Sequence, residues 1–232
     1  IGSTLANVMT AAGYRVQQEY YINDAGTQVG IFGRTLYARY EQLHGREAAV
    51  PENGYPGQYM VDVAQKIKDR FGDQYLRDPG AEADPGFGRL GIDIMVEGIR
   101  DDLTLIGVEY DEWYSERSLM AHGGAYDTVM AILKNQGQVV ERDGATWFTS
   151  SDLGESKDNV LIRSDGAPTY YATDIAYHYD KFVTRKFDRV VDIWGADHQG
   201  HVSRVKAGVQ AAGADPDALD VLLYQLVTLR RG

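Results

Sequence analysis

The chain has 232 residues, enough for one large or two modest domains, and 44% of them are hydrophobic, enough for a substantial core. Its formal net charge of -11 means that any nucleic acid must be held by a local basic patch and not by the overall field. The absence of cysteine excludes disulfides and thiolate metal sites, no apolar run approaches the ~20 residues that span a bilayer, and no signal peptide is visible. The expected protein is soluble and cytoplasmic, with no membrane partner.

The chain starts at Ile1 without an initiator Met, and Leu5, Val8, Met9 and Ala12 already follow helical spacing. A helix over 4–12 is predicted to stop at Gly13, followed by a strand over 15–22. Asn23 to Gln28 then form a turn with a ready N-cap, and Val29, Phe32, Leu36 and Tyr40 carry a helix to Leu43. Between 45 and 91 the character changes, with four of the six prolines and a glycine-rich piece, Asp78 to Gly88. A helix over 58–71 and a mobile loop over 76–90 are expected there.

Farther on, Ile92, Met95, Val96, Ile99, Leu103 and Ile106 give one helix face, opposite an ordinary solvated face of Asp93, Glu97, Arg100, Asp101 and Asp102. A short strand over 109–114, a helix over 126–136 and a hairpin around Asp143-Gly144 follow. Residues 45–155 therefore read as an α+β subdomain inserted between two pieces of a wound sheet, 1–44 and 156–232. The second piece runs from a strand over 160–163 through a turn at 164–166, a helix over 170–182 and a strand over 190–194 leading straight into a helix. A last strand over 221–229 ends it. Both chain ends are expected to be cut from something longer.

At the joint after the strand over 190–194 stands Trp194-Gly195-Ala196-Asp197-His198, where unpaired backbone N–H groups and a helix dipole would converge. Gly195 would let a flat ring or a ribose approach, and Asp197 could accept from two sugar hydroxyls. The same residues also fit a simple helix N-cap at a tight turn. Asp174 with His178, and Asp197 with His201, lie four residues apart, a spacing that could ligate a divalent metal and make a metal-dependent hydrolase of Asp174, His178, His198 and His201. No specific metal motif supports this, so no metal is expected. A third possibility is a non-catalytic nucleotide- or RNA-binding module.

Taken together, the segments Glu19 to Gln28, Arg34 to Tyr40, Trp113 to Ser118, Leu161 to Gly166 with Tyr170 and Asp174 to Tyr177, and Trp194 to His198 resemble bacterial arginyl-tRNA synthetases, of the class I aminoacyl-tRNA synthetases. The resemblance covers nearly the whole chain. It is weakest in the proline-glycine loop around 78–90 and at His201, where an aromatic residue is expected. It implies an α/β fold, a Rossmann-type doubly wound parallel sheet split by an inserted α+β subdomain. The family's two ATP-site signatures, an upstream His-x-Gly-His and a downstream Lys-Met-Ser-Lys-Ser-like loop, are not in this chain. The isolated chain is therefore expected to be inactive.

The function this implies is activation of L-arginine with ATP and Mg²⁺, with no tightly bound cofactor, and transfer of the arginyl group to tRNA(Arg) by a monomeric parent. By position, Asp174 matches the carboxylate that pairs with the substrate guanidinium and Tyr170 the tyrosine beside it. A planar cation with five donors suits a bidentate carboxylate and an aromatic neighbour. On spacing alone, Tyr170 would be core and Asp174 a surface charge. Gly195, Asp197 and His198 match the motif that receives the adenosine of ATP. Asn23, Asp24, Gly26 and Gln28 match a motif lining the active site, although Asp24 and Gly26 also suit a plain turn.

Overall fold

The computed structural model describes residues 1–78, 84–225 and 227–228, in two compact units: residues 3–116, and residues 117–232 with the first two residues. The first unit carries α1 (Gly2–Ala11), β1 (Glu19–Ile22), α2 (Thr27–Leu43), α3 (Gln58–Phe71), α4 (Pro85–Leu105) and β2 (Glu112–Ser115). β1 and β2 pair in parallel, from Glu19 opposite Glu112 to Ile22 opposite Ser115. A helical layer of α2, α3 and α4 buries Leu36, Tyr40, Met60, Ile67, Phe87 and Ile94. The rings of Tyr37, Tyr40 and Tyr75 all lean on Phe87, with centroids 5.1–5.5 Å away. Two of the polar ends are hydrogen-bonded: the Tyr40 hydroxyl donates to the Gly72 carbonyl at 2.6 Å, and the Tyr37 oxygen accepts from the Arg77 N–H at 2.9 Å.

α4 corrects the expected loop over 76–90. Residues 79–83 lie outside the described residues, but the helix begins at Pro85, with Asp84 as N-cap accepting from the Gly86 N–H at 2.8 Å. Proline is suited to a first helical position because its missing N–H would have no partner there. The glycines that suggested a loop serve packing instead. A Cβ on Gly33 would stand 3.1 Å from the Gly88 Cα, so α2 and α4 meet backbone to backbone.

The second unit contains α5 (Glu116–Leu119), which begins on the last residue of the first unit, α6 (Ala125–Asn135), β3 (Val139–Arg142), β4 (Ala145–Phe148), β5 (Asn159–Ile162), α7 (Tyr170–Tyr179), β6 (Val190–Gly195), α8 (Val202–Ala211) and β7 (Leu219–Tyr224). The expected hairpin is present, with Asp143 at φ 52° and Gly144 at φ 74°, both in the left-handed region that a two-residue turn demands. β5, read from sequence as a strand opening the second part of the wound sheet, pairs antiparallel with β4. β6 and β7 pair in parallel across α8, from Val190 opposite Leu219 to Gly195 opposite Tyr224, which is the crossover unit of a wound α/β fold. β7 starts two residues earlier than expected; of its expected end, residues 226 and 229 lie outside the described residues.

α7 is fixed to β6 by charge. Inward-facing positions of β6 alternate, and they are Val190 and Asp192. The Asp192 carboxylate accepts from His178 Nε2 at 2.8 Å and from Lys181 Nζ at 2.9 Å, and all three side chains are buried. Lys181 also sits 3.9 Å from the centre of the Tyr177 ring. Burial alone would raise the Asp192 pKa, but the Lys181 charge, His178 and their hydrogen bonds override it and hold the carboxyl well below the usual carboxylate range. α8 then presses on α7 at Gly208, where a Cβ would lie 2.4 Å from Ile175 Cγ1.

Asp192→Asn removes the charge and leaves the Lys181 ammonium buried without a counter-ion, a loss of about 3–5 kcal/mol. Because the folded pKa of Asp192 is lowered, its contribution is complete above the unfolded value of about 4 and disappears as pH falls through the folded one. Urea unfolding between about pH 7 and about pH 2 should show native stability falling at the acid end. The Asn variant should be much weaker at neutral pH and lack that part of the acid slope; equal midpoints at pH 7 would contradict the assignment.

Candidate active site

Of the candidate residues, Asn23 to Gln28 follow β1 and Gly195 to His198 stand at the end of β6, each at the carboxyl end of a parallel pair where backbone groups are left unpaired, whereas Tyr170 and Asp174 lie on α7. In the first unit, the chain leaving β1 turns at Asn23 and Asp24, and the Asp24 carboxylate accepts from the Ser115 hydroxyl at 2.6 Å, at the end of β2. Gly26 caps α2 with φ 80°, a conformation that only glycine adopts readily, and no side chain caps this helix. The expected side-chain N-cap in this turn is therefore absent. Gln28 is exposed in the first turn of α2, its Oε1 accepting from the Tyr55 hydroxyl at 2.8 Å, and Asn23 is exposed. Ser115 falls within the Trp113 to Ser118 stretch that resembles the family, but nothing in its neighbours' periodicity marks it as a partner of Asp24.

In the second unit, Tyr170 opens α7 behind the N-cap Thr169, whose hydroxyl donates to the Val160 carbonyl at 2.8 Å. Tyr170 is 64% exposed, so the assignment to the core that its spacing suggested is overturned. Asp174 lies one helical turn later on the same face and is only partly exposed. Its Oδ2 accepts from His201 Nε2 at 2.6 Å, while its backbone carbonyl accepts from His178 Nδ1 at 2.8 Å.

The strand β6 does not pass straight into a helix. A 3₁₀ turn over Ala196–His201 intervenes, and α8 begins only at Val202. Asp197 and His198 are exposed on this turn, with Asp197 Oδ2 3.6 Å from His198 Nε2. Asp197 caps neither the turn nor α8, so the N-cap alternative is not what the structure uses. Gly195 has an ordinary extended backbone, and the space where its side chain would lie is taken by Asp197 Oδ1, 2.5 Å from an ideal Cβ. A ring reaching the Gly195 backbone would have to turn that carboxylate aside, which its exposure allows.

The four side chains of the metal alternative do not converge. Both nitrogens of His178 face oxygens of Asp174 and Asp192, His201 is turned to Asp174, and His198 lies out on the surface. Among the described residues, no group of three or more His, Cys, Asp or Glu is placed to hold an ion. Spacing had marked His178 and His201 for their i, i+4 partners; what it could not reveal was that Asp192, 14 residues from His178, shares its ring.

Residues 101–227 match the family model of the catalytic domain of class I tRNA synthetases for arginine. The chain belongs to this family. An arginine–tRNA ligase of Dehalococcoides mccartyi is 56% identical over all 232 residues, and one of Carboxydothermus hydrogenoformans is 48% identical over the same span. The chain covers 42% and 41% of the lengths of these curated relatives. A Campylobacter jejuni protein described as an arginyl-tRNA synthetase has the same fold, with a TM-score of 0.83 at 34% identity over 97% of this chain and 49% of that one. The Thermus thermophilus arginyl-tRNA synthetase shares the fold at a TM-score of 0.62 and 19% identity, covering 97% of this chain and 44% of its own. The fold is thus the Rossmann-like α/β fold of class I catalytic domains.

The Asp197 carboxylate over Gly195 is the free end of an exposed side chain, so Gly195→Ala should displace it at little cost in stability. The expected change in Tm is within about 4 °C, equivalent to about 1 kcal/mol for a chain of this size. A fall of more than about 8 °C would mean that Asp197 is fixed there by the fold.

Proposed function

We propose that this chain supplies the arginine- and ATP-binding surfaces of an arginine–tRNA ligase, which activates L-arginine with ATP and Mg²⁺ and passes the arginyl group to tRNA(Arg). The observation that carries this is Asp174: a partly exposed carboxylate on α7, with Tyr170 exposed one turn before it on the same face. This is the arrangement that a guanidinium, with donors only and a flat face, recognises. In this proposal Gly195, Asp197 and His198 receive the adenosine of ATP, and Asn23, Asp24, Gly26 and Gln28 line the site at the β1 end. The same family resemblance goes with the division into 1–44, 45–155 and 156–232, and with a cytoplasmic monomer. No helix among the described residues is long and apolar enough to cross a membrane.

In the first step the arginine carboxylate attacks the α-phosphate of ATP, forming the mixed anhydride and releasing pyrophosphate. The nucleophile is already ionised, so no general base is needed, and the rate depends on alignment and on stabilising charge at the phosphate. Residues that bind and orient therefore matter more than an acid–base pair. In the second step a terminal ribose hydroxyl of the tRNA displaces AMP.

Asp174→Asn in a full-length protein carrying this chain tests the assignment. The substitution keeps volume but turns amide donors toward a group that can only donate. With about 3–5 kcal/mol lost on breaking a partly buried charge pair, kcat/KM for arginine should fall by roughly a hundredfold to a few thousandfold, with KM for ATP hardly changed. Citrulline, a neutral urea, should be disfavoured less by the variant than by the native protein. Arginine kinetics within about threefold of native, under ~1 kcal/mol, would leave Asp174 as a surface residue of α7.

A further inference from the structure

We infer that His201 is the positioning residue of Asp174: it holds the carboxylate in one orientation and so sets the geometry in which a guanidinium is met. This rests on the assignment of Asp174 to the substrate guanidinium. His201 Nε2 stands 2.6 Å from Asp174 Oδ2, and the two side chains are 21% and 27% exposed. An aspartate at such a surface would otherwise exchange between rotamers, and a ligand that needs both oxygens would have to select one of them. The bond to His201 makes that selection before the ligand arrives. It uses one lone pair of Oδ2, so Oδ1 and the second lone pair of Oδ2 stay available to a forked donor.

The imidazole can act this way because it is itself held from two sides. Its ring is tilted 32° against Trp194 at 5.8 Å and stands edge-on to Tyr171 at 5.8 Å. Tyr171 is in turn anchored, buried, with its hydroxyl donating to the Arg204 carbonyl of α8 at 2.7 Å. The Asp174 carboxylate thus takes its orientation from β6 and α8, not only from its own helix. His198 leans on the same Trp194 ring, with centroids 6.2 Å apart, so the turn assigned to adenosine and the carboxylate assigned to arginine share one aromatic support.

Two substitutions separate the hydrogen bond from the packing. His201→Phe keeps an aromatic ring against Trp194 and Tyr171 but removes the donor, whereas His201→Gln keeps a donor of similar reach and removes the ring. In a full-length protein carrying this chain, His201→Phe should raise KM for arginine about tenfold or more, equivalent to ~1.4 kcal/mol, with kcat and KM for ATP changed less than threefold. His201→Gln should restore most of the arginine affinity. His201→Phe combined with Asp174→Asn should bind arginine no worse than Asp174→Asn alone, because the histidine acts through the carboxylate. Thermal midpoints of all variants check that each is folded.

The inference is overturned if His201→Phe leaves KM for arginine within twofold of native, or if His201→Gln is the more damaged variant, which would make the ring's packing the important part. Multiplying losses in the double variant would also overturn it. In each of those cases a large effect of Asp174→Asn alone would leave the guanidinium assignment standing. If Asp174→Asn has no effect on arginine, both fall together.

Discussion

Asp192 carries a charge that burial would abolish if it stood alone, and the second unit is arranged so that it does not. Taking a carboxylate out of water costs several kcal/mol, which two donors at 2.8 and 2.9 Å, one of them a full ammonium, offset together where neither would alone. The geometry of the pairing matters as much as its energy. His178 and Lys181 come from the end of α7 and the turn that follows it, and Asp192 from the middle of β6, so the helix can neither slide nor rotate on the strand without unpairing buried charge. The face of α7 that carries Tyr170 and Asp174, and the strand end that carries Gly195, are thereby fixed with respect to one another. Hydrophobic contacts such as Val190 with Val205, Val209 and Leu219 supply cohesion but would tolerate small displacements.

Each unit repeats one physical solution, a pair of parallel strands whose carboxyl ends carry the polar residues. In parallel pairs both strands end on the same side, so the loops leaving them emerge together. At the ends of β1 and β2 this brings Asp24 to Ser115 across 91 residues of sequence. At the ends of β6 and β7 it places Gly195 opposite Tyr224, with the 3₁₀ turn extending beyond them. That turn delays α8 by six residues and leaves Asp197 and His198 exposed, where an immediate helix would have drawn the aspartate into a cap.

Much of this was legible in the sequence wherever one local signal dominated. α3 follows from its apolar spacing, the hairpin from Asp143-Gly144, and β6 from its β-branched run. The start of α4 was hidden because proline and glycine normally oppose helices, and here the tertiary contact of Gly88 with Gly33 reverses that meaning. The decisive cue, Asp84 before Pro85, is an N-cap followed by a first-position proline, outweighed by the composition around it. Asp192 was legible in principle. Alternation places it on the same side of β6 as Val190, and an inward-facing carboxylate requires partners. Which partners these were could not be read, since a hydrogen bond between elements leaves no periodicity. The same limit applies to His201, whose spacing from Asp197 suggested a pair on one helix face while its nitrogen turned to a different helix.

The two aspartates of this region show how burial assigns roles to identical side chains. Asp192 is deep enough that its charge is fully committed to two neighbours, and a third donor could reach it only by disrupting the fold. Asp174 is shallower, and among the described residues its side chain is paired with a histidine that shares one oxygen. A charge so placed is strengthened by the lowered dielectric around it, yet retains unfilled acceptor sites, the condition under which a carboxylate discriminates between a guanidinium and a neutral isostere. The backbone carbonyl of Asp174 accepts from the same His178 that serves Asp192. One imidazole therefore joins the buried carboxylate to the segment that presents the accessible one, and the stability of the first becomes the precision of the second.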